Sequence, residues 1–545
     1  MQSVQSSSIS KHVAVIGAGP SGLTTMKELM EEGHTVRCFD RYEREGGVFY
    51  YSPHKGGVYD STVLTISNYH MAFSSFPPVA SEPRYYWSRS EYAHYLRRFA
   101  FQFGLFEHIQ FNTEVAEIAK GADGRYALTL RQGDGTSEVQ YFDAVAVCSG
   151  SNQHTNWPKF PGQEQFEGEI IHSQSYKRPD PFTGKRVLVV GLGETGSDVA
   201  HEVSSVAKSC MISVRRNHIL VDRWFFGTTN DADSTRWIYT VKVDTINAIV
   251  IEEKNRELER PAPDTLPAHQ FFNEWNDRGG NTVNEFFTKC PAFLQDVVEK
   301  RLSYNVGGIE RLEGNRVVFK DGNSFEADTI ICCTGYQTKF DFFHEDLDQP
   351  DLNNPRHLFK HMIHPELGSD IAFIGFARPA AGGQPAISEM QARYFALLTS
   401  GKRQLPPVSE LKDRIARDRQ VEEALFCNNP NLKTVVYYGT FMDELGELVG
   451  CKPKLWSFDL GLMYRLWFGT QFSYQYRLRG PGANPAMAKQ VLKSVPVPFP
   501  MSYAAKLVLE LLRDKIADLG GPLQRLGRKV PKTLTQQRQE PVSSH

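Results

Sequence analysis

The chain has 545 residues, of which 41% are hydrophobic and 23% charged, as in ordinary folded proteins. Its length predicts two or three domains of about 100–200 residues each. The formal net charge of −2 gives no sign of a nucleic-acid partner. The eight cysteines include no Cys-x-x-Cys pair, which argues against zinc and against dithiol redox chemistry, so we predict no metal site.

The polar N-terminus lacks the apolar segment of a secretory signal, and no apolar run reaches the roughly 18 residues that a membrane span needs. Ser502–Leu512 predicts an amphipathic helix packed on the protein, and contact with a membrane surface is its alternative, helped by the basic residues that follow. We therefore expect a cytoplasmic protein, with peripheral membrane association left open.

Two segments share one pattern, an apolar β-branched run followed by a glycine-rich turn and a helical stretch. They are His12–Met30 and Arg186–Val203. The pattern is typical of the dinucleotide-binding βαβ unit. The predicted fold class is therefore α/β with two Rossmann-like dinucleotide-binding domains.

Each unit is followed by alternating runs that predict antiparallel hairpins and then a buried strand, before Cys148 and before Gly335. The segment 222–294 has little periodicity, and we interpret it as an insertion of helices and loops. The predicted divisions are a first domain at 1–160, a second at 165–335, a return to the first at 336–450, a C-terminal region at 451–520 and a polar tail at 521–545.

The first turn fits G-x-G-x-x-G, which brings a backbone close to a pyrophosphate at a helix N-terminus. Asp40 ends the next predicted strand, where a carboxylate accepts hydrogen bonds from ribose hydroxyls. The position near the N-terminus and the Gly46-Gly47 pair favour FAD as the ligand. The predicted ligand-binding residues are Gly17, Ala18, Gly19, Pro20, Ser21, Gly22, Asp40, Gly47, Val48 and Phe49.

The second turn repeats the glycine spacing, but the next strand ends in Arg215-Arg216 rather than in an acid. Arginine favours the 2′-phosphate of NADPH, which a carboxylate would repel. We therefore predict NADPH as the second cofactor. Its predicted contacts are Gly191, Gly193, Thr195, Gly196, Ser197, Asp198, Arg215 and Arg216.

Two nucleotide sites alone fit a disulfide reductase or a monooxygenase, and the chain lacks the cysteine pair of the former. The segment Phe166–Tyr176 resembles the F-x-G-x-x-x-H-x-x-x-[YF] motif of flavin-containing monooxygenases, a class B flavoprotein monooxygenase family. Cys333–Tyr336 and the stretch from Phe441 to Gly482 are also similar to that family. The resemblance covers about residues 12–495.

The resemblance implies that NADPH reduces FAD, and that O2 then forms a C4a-hydroperoxyflavin whose distal oxygen passes to a small organic substrate. N- or S-oxygenation is the expected reaction. Baeyer–Villiger oxygenation of a ketone, N-hydroxylation in a biosynthetic pathway and a non-catalytic FAD- and NADP-binding redox sensor are the alternatives. The identity of the substrate is not predicted. The oligomeric state is left open, with a homodimer as one alternative.

The resemblance also suggests residues near the flavin. Thr65 occupies the position of an asparagine that many members carry, and Leu64 precedes it. Thr65, Ser67 and Asn68 are the catalytic candidates, because the chemistry needs a hydrogen-bonding group near C4a. Gln391 is a candidate for the flavin or nicotinamide edge. His172 is expected to order the linker between the domains.

Overall fold

The computed structural model describes residues 9–79, 82–216, 219–225, 228–238, 271, 275, 288–289, 292–426 and 432–498. The described residues up to Pro496 form one compact unit, and of a second unit that begins at Val497 only residues 497–498 are described. The predicted helix Ser502–Leu512, the polar tail and the middle of the predicted 222–294 insertion lie outside the described residues.

The described helices are numbered here in chain order. They are α1 Pro20–Glu31, α2 Asn68–Met71, α3 Arg89–Gln102, α4 Glu194–Ser204, α5 Phe293–Val298, α6 Gln384–Thr399, α7 Val408–Leu425, α8 Tyr438–Val449, α9 Leu460–Phe468 and α10 Pro485–Ser494. In that part of the chain none of the helices has the length and apolar character needed to cross a membrane.

The described strands are numbered in the same way. They are β1 His12–Ile16, β2 Thr35–Phe39, β3 Ile109–Gln110, β4 Thr113–Lys120, β5 Tyr126–Gln132, β6 Ser137–Phe142, β7 Ala144–Val147, β8 His154–Thr155, β9 Glu169–His172, β10 Arg186–Val190, β11 Ser209–Val214, β12 Trp224–Phe225, β13 Thr228–Thr229, β14 Leu302–Val306, β15 Ile309–Glu313, β16 Arg316–Phe319, β17 Ser324–Glu326, β18 Thr329–Cys332, β19 Tyr336–Gln337, β20 Ile371–Phe373, β21 Arg378–Pro379 and β22 Val435–Val436.

Two five-stranded sheets organise the described residues. The first has the order β20-β7-β1-β2-β3 and the second the order β14-β11-β10-β18-β9. All neighbouring strands in both sheets are parallel. The central strands carry continuous apolar runs because parallel strands are covered on both faces. The predicted α/β class with two Rossmann-like dinucleotide-binding units is confirmed.

The two predicted hairpins are also confirmed. β5 pairs antiparallel with β6 and leads into β7 of the first sheet. β16 pairs antiparallel with β17 and leads into β18 of the second sheet. In each half, the strand that follows the antiparallel hairpin in the chain is therefore part of the parallel sheet. The predicted domain boundaries stay predictions.

Helices α1 and α4 each begin directly after a glycine in the turn that follows a central strand. Gly19 and Gly193 are the N-terminal capping residues, and neither helix has a side-chain cap at that end. The first backbone N–H groups of each helix therefore remain available for a ligand. Pro20 at the start of α1 has no N–H to satisfy, which suits the first helical position.

Candidate functional site

The first turn places β1 and α1 in close contact. Gly17 has φ +101°, and a Cβ there would lie 2.8 Å from the carbonyl oxygen of Cys148. A Cβ at Gly22 would overlap the carbonyl of Gly17. Only glycine fits these positions without displacement of the backbone, so the turn keeps the shape that a pyrophosphate requires.

Asp40 stabilises this turn from the end of β2. Its carboxylate accepts hydrogen bonds from the backbone N–H of Ala18, at 2.7 Å, and of Tyr42, at 2.8 Å. Burial raises the pKa of Asp40, and these hydrogen bonds oppose the rise. The carboxylate lines the cleft described below and retains lone pairs that could accept ribose hydroxyls.

The second turn repeats this geometry. Gly191 has φ +102°, and a Cβ there would lie 2.6 Å from the carbonyl oxygen of Cys333. A Cβ at Gly196 would overlap the carbonyl of Gly191. In both turns a glycine thus packs against the carbonyl of the residue that follows the neighbouring strand. The second turn is therefore as able as the first to accept a pyrophosphate.

Both turns open onto one cleft of about 2320 Å³. Most of the predicted site residues line it: Gly17, Gly19, Pro20, Ser21, Asp40, Gly47, Val48, Phe49, Leu64, Thr65, Gly191, Gly193, Thr195, Gly196, Asp198, Arg215 and Arg216. The predicted residues that lie behind its wall are Ala18, Gly22, Ser67, Asn68, Ser197 and Gln391. The cleft reaches both turns, so a ligand at one turn and a ligand at the other would lie in the same cavity.

The three catalytic candidates differ in position. Thr65 is half-buried and lines the cleft, whereas Ser67 and Asn68 are fully buried behind it. The Ser67 hydroxyl donates to Asp231 at 2.7 Å, and the Asn68 amide donates to the carbonyl of Pro83 at 3.0 Å. Thr65 is therefore the member of the three that can contact a ligand directly.

Gln391 lies within α6, and the structure places it between two backbone segments. Its Oε1 accepts the N–H of Gly375 at 3.1 Å, and its Nε2 donates to the carbonyl of Lys360 at 3.0 Å. Gly375 follows β20 and lines the cleft. Gln391 therefore contacts the backbone that borders the cleft, and its predicted role at a cofactor edge stays a prediction.

The segment Phe166–Tyr176 lies where the chain, after leaving the first sheet at β7, enters the second sheet at β9. Gly168 has no room for a side chain, since its Cβ would lie 2.5 Å from the carbonyl oxygen of Asp328. His172 ends β9, and its Nε2 lies 3.1 Å from the carbonyl oxygen of Gly335. Burial lowers the pKa of His172. The imidazole of His172 thus joins the end of β9 to the segment that follows β18. Its predicted role in ordering the linker between the domains stays a prediction.

The sequence prediction missed several charged residues of the cleft wall, among them Glu194, Lys289 and Arg378. Glu194 lies inside the second turn and was passed over as a variable position of the motif. Lys289 lies in the insertion without periodicity, where no pattern assigns a direction to a side chain. Arg378 begins β21, which pairs with β22 outside the two five-stranded sheets, and no motif marks it in the sequence.

A protein-family model described as "FMO-like: Flavin-binding monooxygenase-like" matches residues 10–496. The chain is 36% identical to a 4-hydroxybenzoate brominase (decarboxylating) of Pseudoalteromonas luteoviolacea, over 93% of this chain and 98% of that protein. It is 32% identical to flavin-containing monooxygenase 3 of Macaca mulatta, over 88% of this chain and 91% of the relative.

Among solved structures, the S-allyl-L-cysteine S-oxygenase from Allium sativum matches with a TM-score of 0.60 at 21% identity, covering 94% of this chain and all of that one. This likeness shows the fold, while the family model and the sequence relatives show the family. The chain therefore belongs to the flavin-binding monooxygenase-like family of enzymes.

Proposed function

We propose that this chain binds FAD and NADPH and transfers one oxygen atom of O2 to a nitrogen or sulfur atom of a small organic substrate. The single cleft shared by both glycine-rich turns carries the proposal. Hydride transfer needs the reacting rings of two cofactors in contact, and one continuous cleft permits that contact. Bound FAD would supply the hydride acceptor and the activation of O2.

The first turn would hold FAD. The N–H groups at the start of α1 face the cleft and would donate to the pyrophosphate. The Asp40 carboxylate, already oriented by Ala18 and Tyr42, would accept the ribose hydroxyls of the adenosine. Gly47 lies against Gly19, with a virtual Cβ 3.0 Å from the Gly19 Cα, which keeps two backbone segments close to the same ligand.

The second turn would hold NADPH. The start of α4 offers its N–H groups to the pyrophosphate, as α1 does in the first sheet. Arg215 and Arg216 follow β11, are exposed and line the cleft. Their guanidinium groups would bind the 2′-phosphate, because a charge-assisted bidentate pair favours that dianion. Lys320 also lines the cleft, and its backbone N–H donates to the carbonyl of Gly308, which packs against Arg215, so it adds positive charge near that arginine.

Thr65 would act at the reacting end. It lies between Leu64 and Ile66, which are buried and line the cleft together with Met71. An apolar wall limits the access of water, and a single hydroxyl in that wall can donate or accept one directed hydrogen bond. Thr65 would therefore orient the bound cofactors while its neighbours exclude water.

The test is purified, FAD-loaded protein supplied with NADPH and O2 and a panel of tertiary amines, sulfides and ketones. We expect an N-oxide or S-oxide formed in proportion to the NADPH consumed. The Gly193→Ala variant is the matched control, since its added methyl group should reduce NADPH use and product together. The proposal would be rejected if all the O2 consumed were released as hydrogen peroxide with every amine and sulfide. Formation of a lactone or ester from a ketone would favour Baeyer–Villiger chemistry.

A second candidate reaction is oxygen transfer to a halide ion, followed by halogenation of an aromatic ring. Two relatives named 4-hydroxybenzoate brominases, at 36% and 35% identity over 93% and 89% of this chain, favour it. Bromide is a soft nucleophile like a sulfide, so the same cleft suits both. Mass spectrometry of 4-hydroxybenzoate incubated with enzyme, NADPH and bromide would decide, because bromine incorporation must depend on NADPH.

A further inference from the structure

Three large apolar side chains protrude into solvent at the start of α9. Trp456 is 78% exposed, Phe458 106% and Leu460 69%, so Phe458 is as accessible as it would be in an extended peptide. Single exposed apolar side chains are normal on a protein surface. Three within five consecutive residues form a patch, and such patches mark binding surfaces. These three residues are called the apolar protrusion below.

The helix that begins in the protrusion is apolar on nearly all sides. Two of the nine residues of α9 are buried. Its one charged side chain, Arg465, is used internally, because its Nη1 donates to the carbonyl oxygens of Leu492 and Val495 at 2.8 and 2.7 Å. The ring of Trp456 lies 6.5 Å from that of Trp467, between centroids. A helix of this composition is normally covered, so its exposed side suits a partner that is itself apolar.

The segment that carries the protrusion is strongly basic. Residues 450–496 contain seven lysines and arginines and a single acid, Asp459, whereas the whole chain has a formal net charge of −2. The carboxylate of Asp459 caps α9, since it accepts the N–H of Leu462 at 3.0 Å. The segment therefore has an excess of positive charge that its own acid does not balance.

Four of these cations point into solvent, and they are called the basic face below: Lys454, Arg479, Lys489 and Lys493. Within the ranges that the structure describes, none of the four forms an ion pair. Lys452 of the same segment, by contrast, pairs with Glu447 at 2.7 Å. The basic face is therefore available to an anionic partner.

A small apolar cluster connects the protrusion to the basic face. Its members come from α9, α10 and two turns: Leu455, Leu462, Leu466, Leu478 and Leu492. Three of these leucines each directly precede a residue of the surface, namely Trp456, Arg479 and Lys493. Lys489 is one helical turn before Lys493 and shares its side of α10. The protrusion and the basic face thus emerge around the same cluster.

We propose that the apolar protrusion and the basic face bind an anionic lipid surface. Tryptophan and phenylalanine insert their rings at the level of lipid head groups, and lysine and arginine beside them attract anionic lipids. A protein partner would need a cavity complementary to a side chain as exposed as Phe458. Lipids rearrange around any protruding shape, so the convex form of the patch favours a membrane.

The inference uses only residues before Val497 and does not depend on the proposed reaction. Its test is a sedimentation assay in which the FAD-loaded full chain is mixed with sucrose-filled vesicles. One set of vesicles contains phosphatidylglycerol and phosphatidylcholine, and the other contains phosphatidylcholine alone. We expect partitioning to be at least about tenfold stronger on the anionic vesicles. Added salt should weaken it, because salt screens the attraction between exposed charges.

Phe458→Ser tests the protrusion. It should weaken partitioning about tenfold or more, the effect of removing one apolar side chain that becomes buried. The unfolding temperature should not change, because Phe458 is fully exposed. Phe101→Ser is the matched control, since Phe101 is a phenylalanine of α3 that is 79% exposed, and its partitioning should equal that of the wild type.

The double variant Lys489→Gln with Lys493→Gln tests the basic face. Partitioning on the anionic vesicles should fall about tenfold or more, and its dependence on salt should decrease. The control removes two other exposed positive charges, by Lys208→Gln together with Arg316→Gln, and should retain partitioning.

Fluorescence quenching by brominated phosphatidylcholine tests the contact itself. The chain has seven tryptophans, and we expect Trp456 to account for most of the quenching on anionic vesicles. Trp456→Phe keeps an aromatic ring, so it should still bind the vesicles while most of the quenching is lost. Quenching equal to that of the wild type would show that Trp456 lies outside the bilayer and would overturn the proposal.

Three further results would also overturn it. Phe458→Ser could bind anionic vesicles as the wild type does, which would assign any membrane contact to another part of the chain. Partitioning could be equal on the two kinds of vesicle, which would remove the basic face. The wild type could ignore both vesicles and self-associate in a manner that Phe458→Ser abolishes, which would make a second copy of the chain the partner.

Discussion

The backbone N–H and the hydroxyl of Ser67 both donate hydrogen bonds to Oδ2 of Asp231, each 2.7 Å long, across 164 residues of sequence. Asp231 is buried, and its Oδ1 forms an ion pair with Arg84 at 2.8 Å. Burial would raise the pKa of Asp231, but the charge of Arg84, the neighbouring His70 and the hydrogen bonds from Thr229 and Ser67 together outweigh burial and hold that pKa well below its usual range. The charged Asp231 thus anchors the segment that carries Thr65.

Ser67→Ala should loosen that anchor. A hydrogen bond to a charged acceptor contributes about 1.5–3 kcal/mol, so the free energy of unfolding should fall by about that amount. Displacement of Thr65 should also increase the hydrogen peroxide released per NADPH consumed. Urea denaturation and a peroxide assay measure the two effects. Ser205→Ala, an exposed serine at the end of α4, is the control, and equal peroxide release in both variants would contradict the role of Ser67.

Gly193→Ala should weaken NADPH binding and leave the stability of the fold nearly unchanged. A Cβ at Gly193 would meet no protein atom within 4 Å, and its φ of −103° suits alanine. The unfolding free energy should change by about 1 kcal/mol or less, the cost of alanine at a helix N-cap. The methyl group would occupy the space that a pyrophosphate needs, so the KM for NADPH should rise at least about tenfold.

Gly191→Ala is the comparison for that variant, since its Cβ would lie 2.6 Å from the Cys333 carbonyl oxygen at a positive φ. It should lower both stability and NADPH use. An unchanged KM for NADPH in Gly193→Ala would remove the second turn from nucleotide binding.

Arg215→Ala should raise the KM for NADPH about 10- to 150-fold and change the KM for NADH little. The expected increase in KM corresponds to the free energy of one charge-assisted hydrogen bond to the 2′-phosphate. Arg311→Ala provides the control, because Arg311 is exposed and pairs with Glu313 on an antiparallel strand. Steady-state kinetics with both nucleotides measures the effect, and an equal rise for the two would exclude a contact with the 2′-phosphate.

Arg477→Met should destabilise the protein strongly. Arg477 is buried and donates to Glu28 at 2.5 Å and to Glu389 at 3.0 Å, joining the C-terminal region to α1 and α6. Removal of the arginine leaves two buried carboxylates, and breaking such a pair costs about 3–5 kcal/mol. Arg414→Met, which removes an exposed pair with Glu410, should cost about 1 kcal/mol or less. Similar losses in the two variants would contradict the prediction.

Acid should weaken the same cluster. Burial alone would raise the pKa of Glu28, but Arg477, Lys27 and Arg393 outweigh burial and lower that pKa to about 2. The contribution of Glu28 to stability is therefore complete above its unfolded pKa of 4.5 and is lost as the pH falls towards 2. The stability difference between the wild type and Glu28→Gln should shrink below about pH 4.5, by up to about 3 kcal/mol. A difference that stays constant from pH 7 to pH 3 in urea titrations would refute this.

The local sequence was sufficient to predict both glycine-rich turns, both hairpins and the α/β class. Gly17 and Gly191 adopt the positive φ that their motifs require, because a turn between a strand and a helix depends on neighbours in the chain. Family membership followed from the same short motifs together with the segment Phe166–Tyr176, whose Gly168 has no space for a side chain.

Only the tertiary structure decided which polar side chains face the cleft. Thr65 lines it, whereas Ser67 and Asn68, two and three residues further on, turn to partners elsewhere. Lys289 enters the wall from a segment without periodicity. A side chain's direction in such a segment depends on packing against residues far away in sequence, and no repeat in the chain encodes that packing.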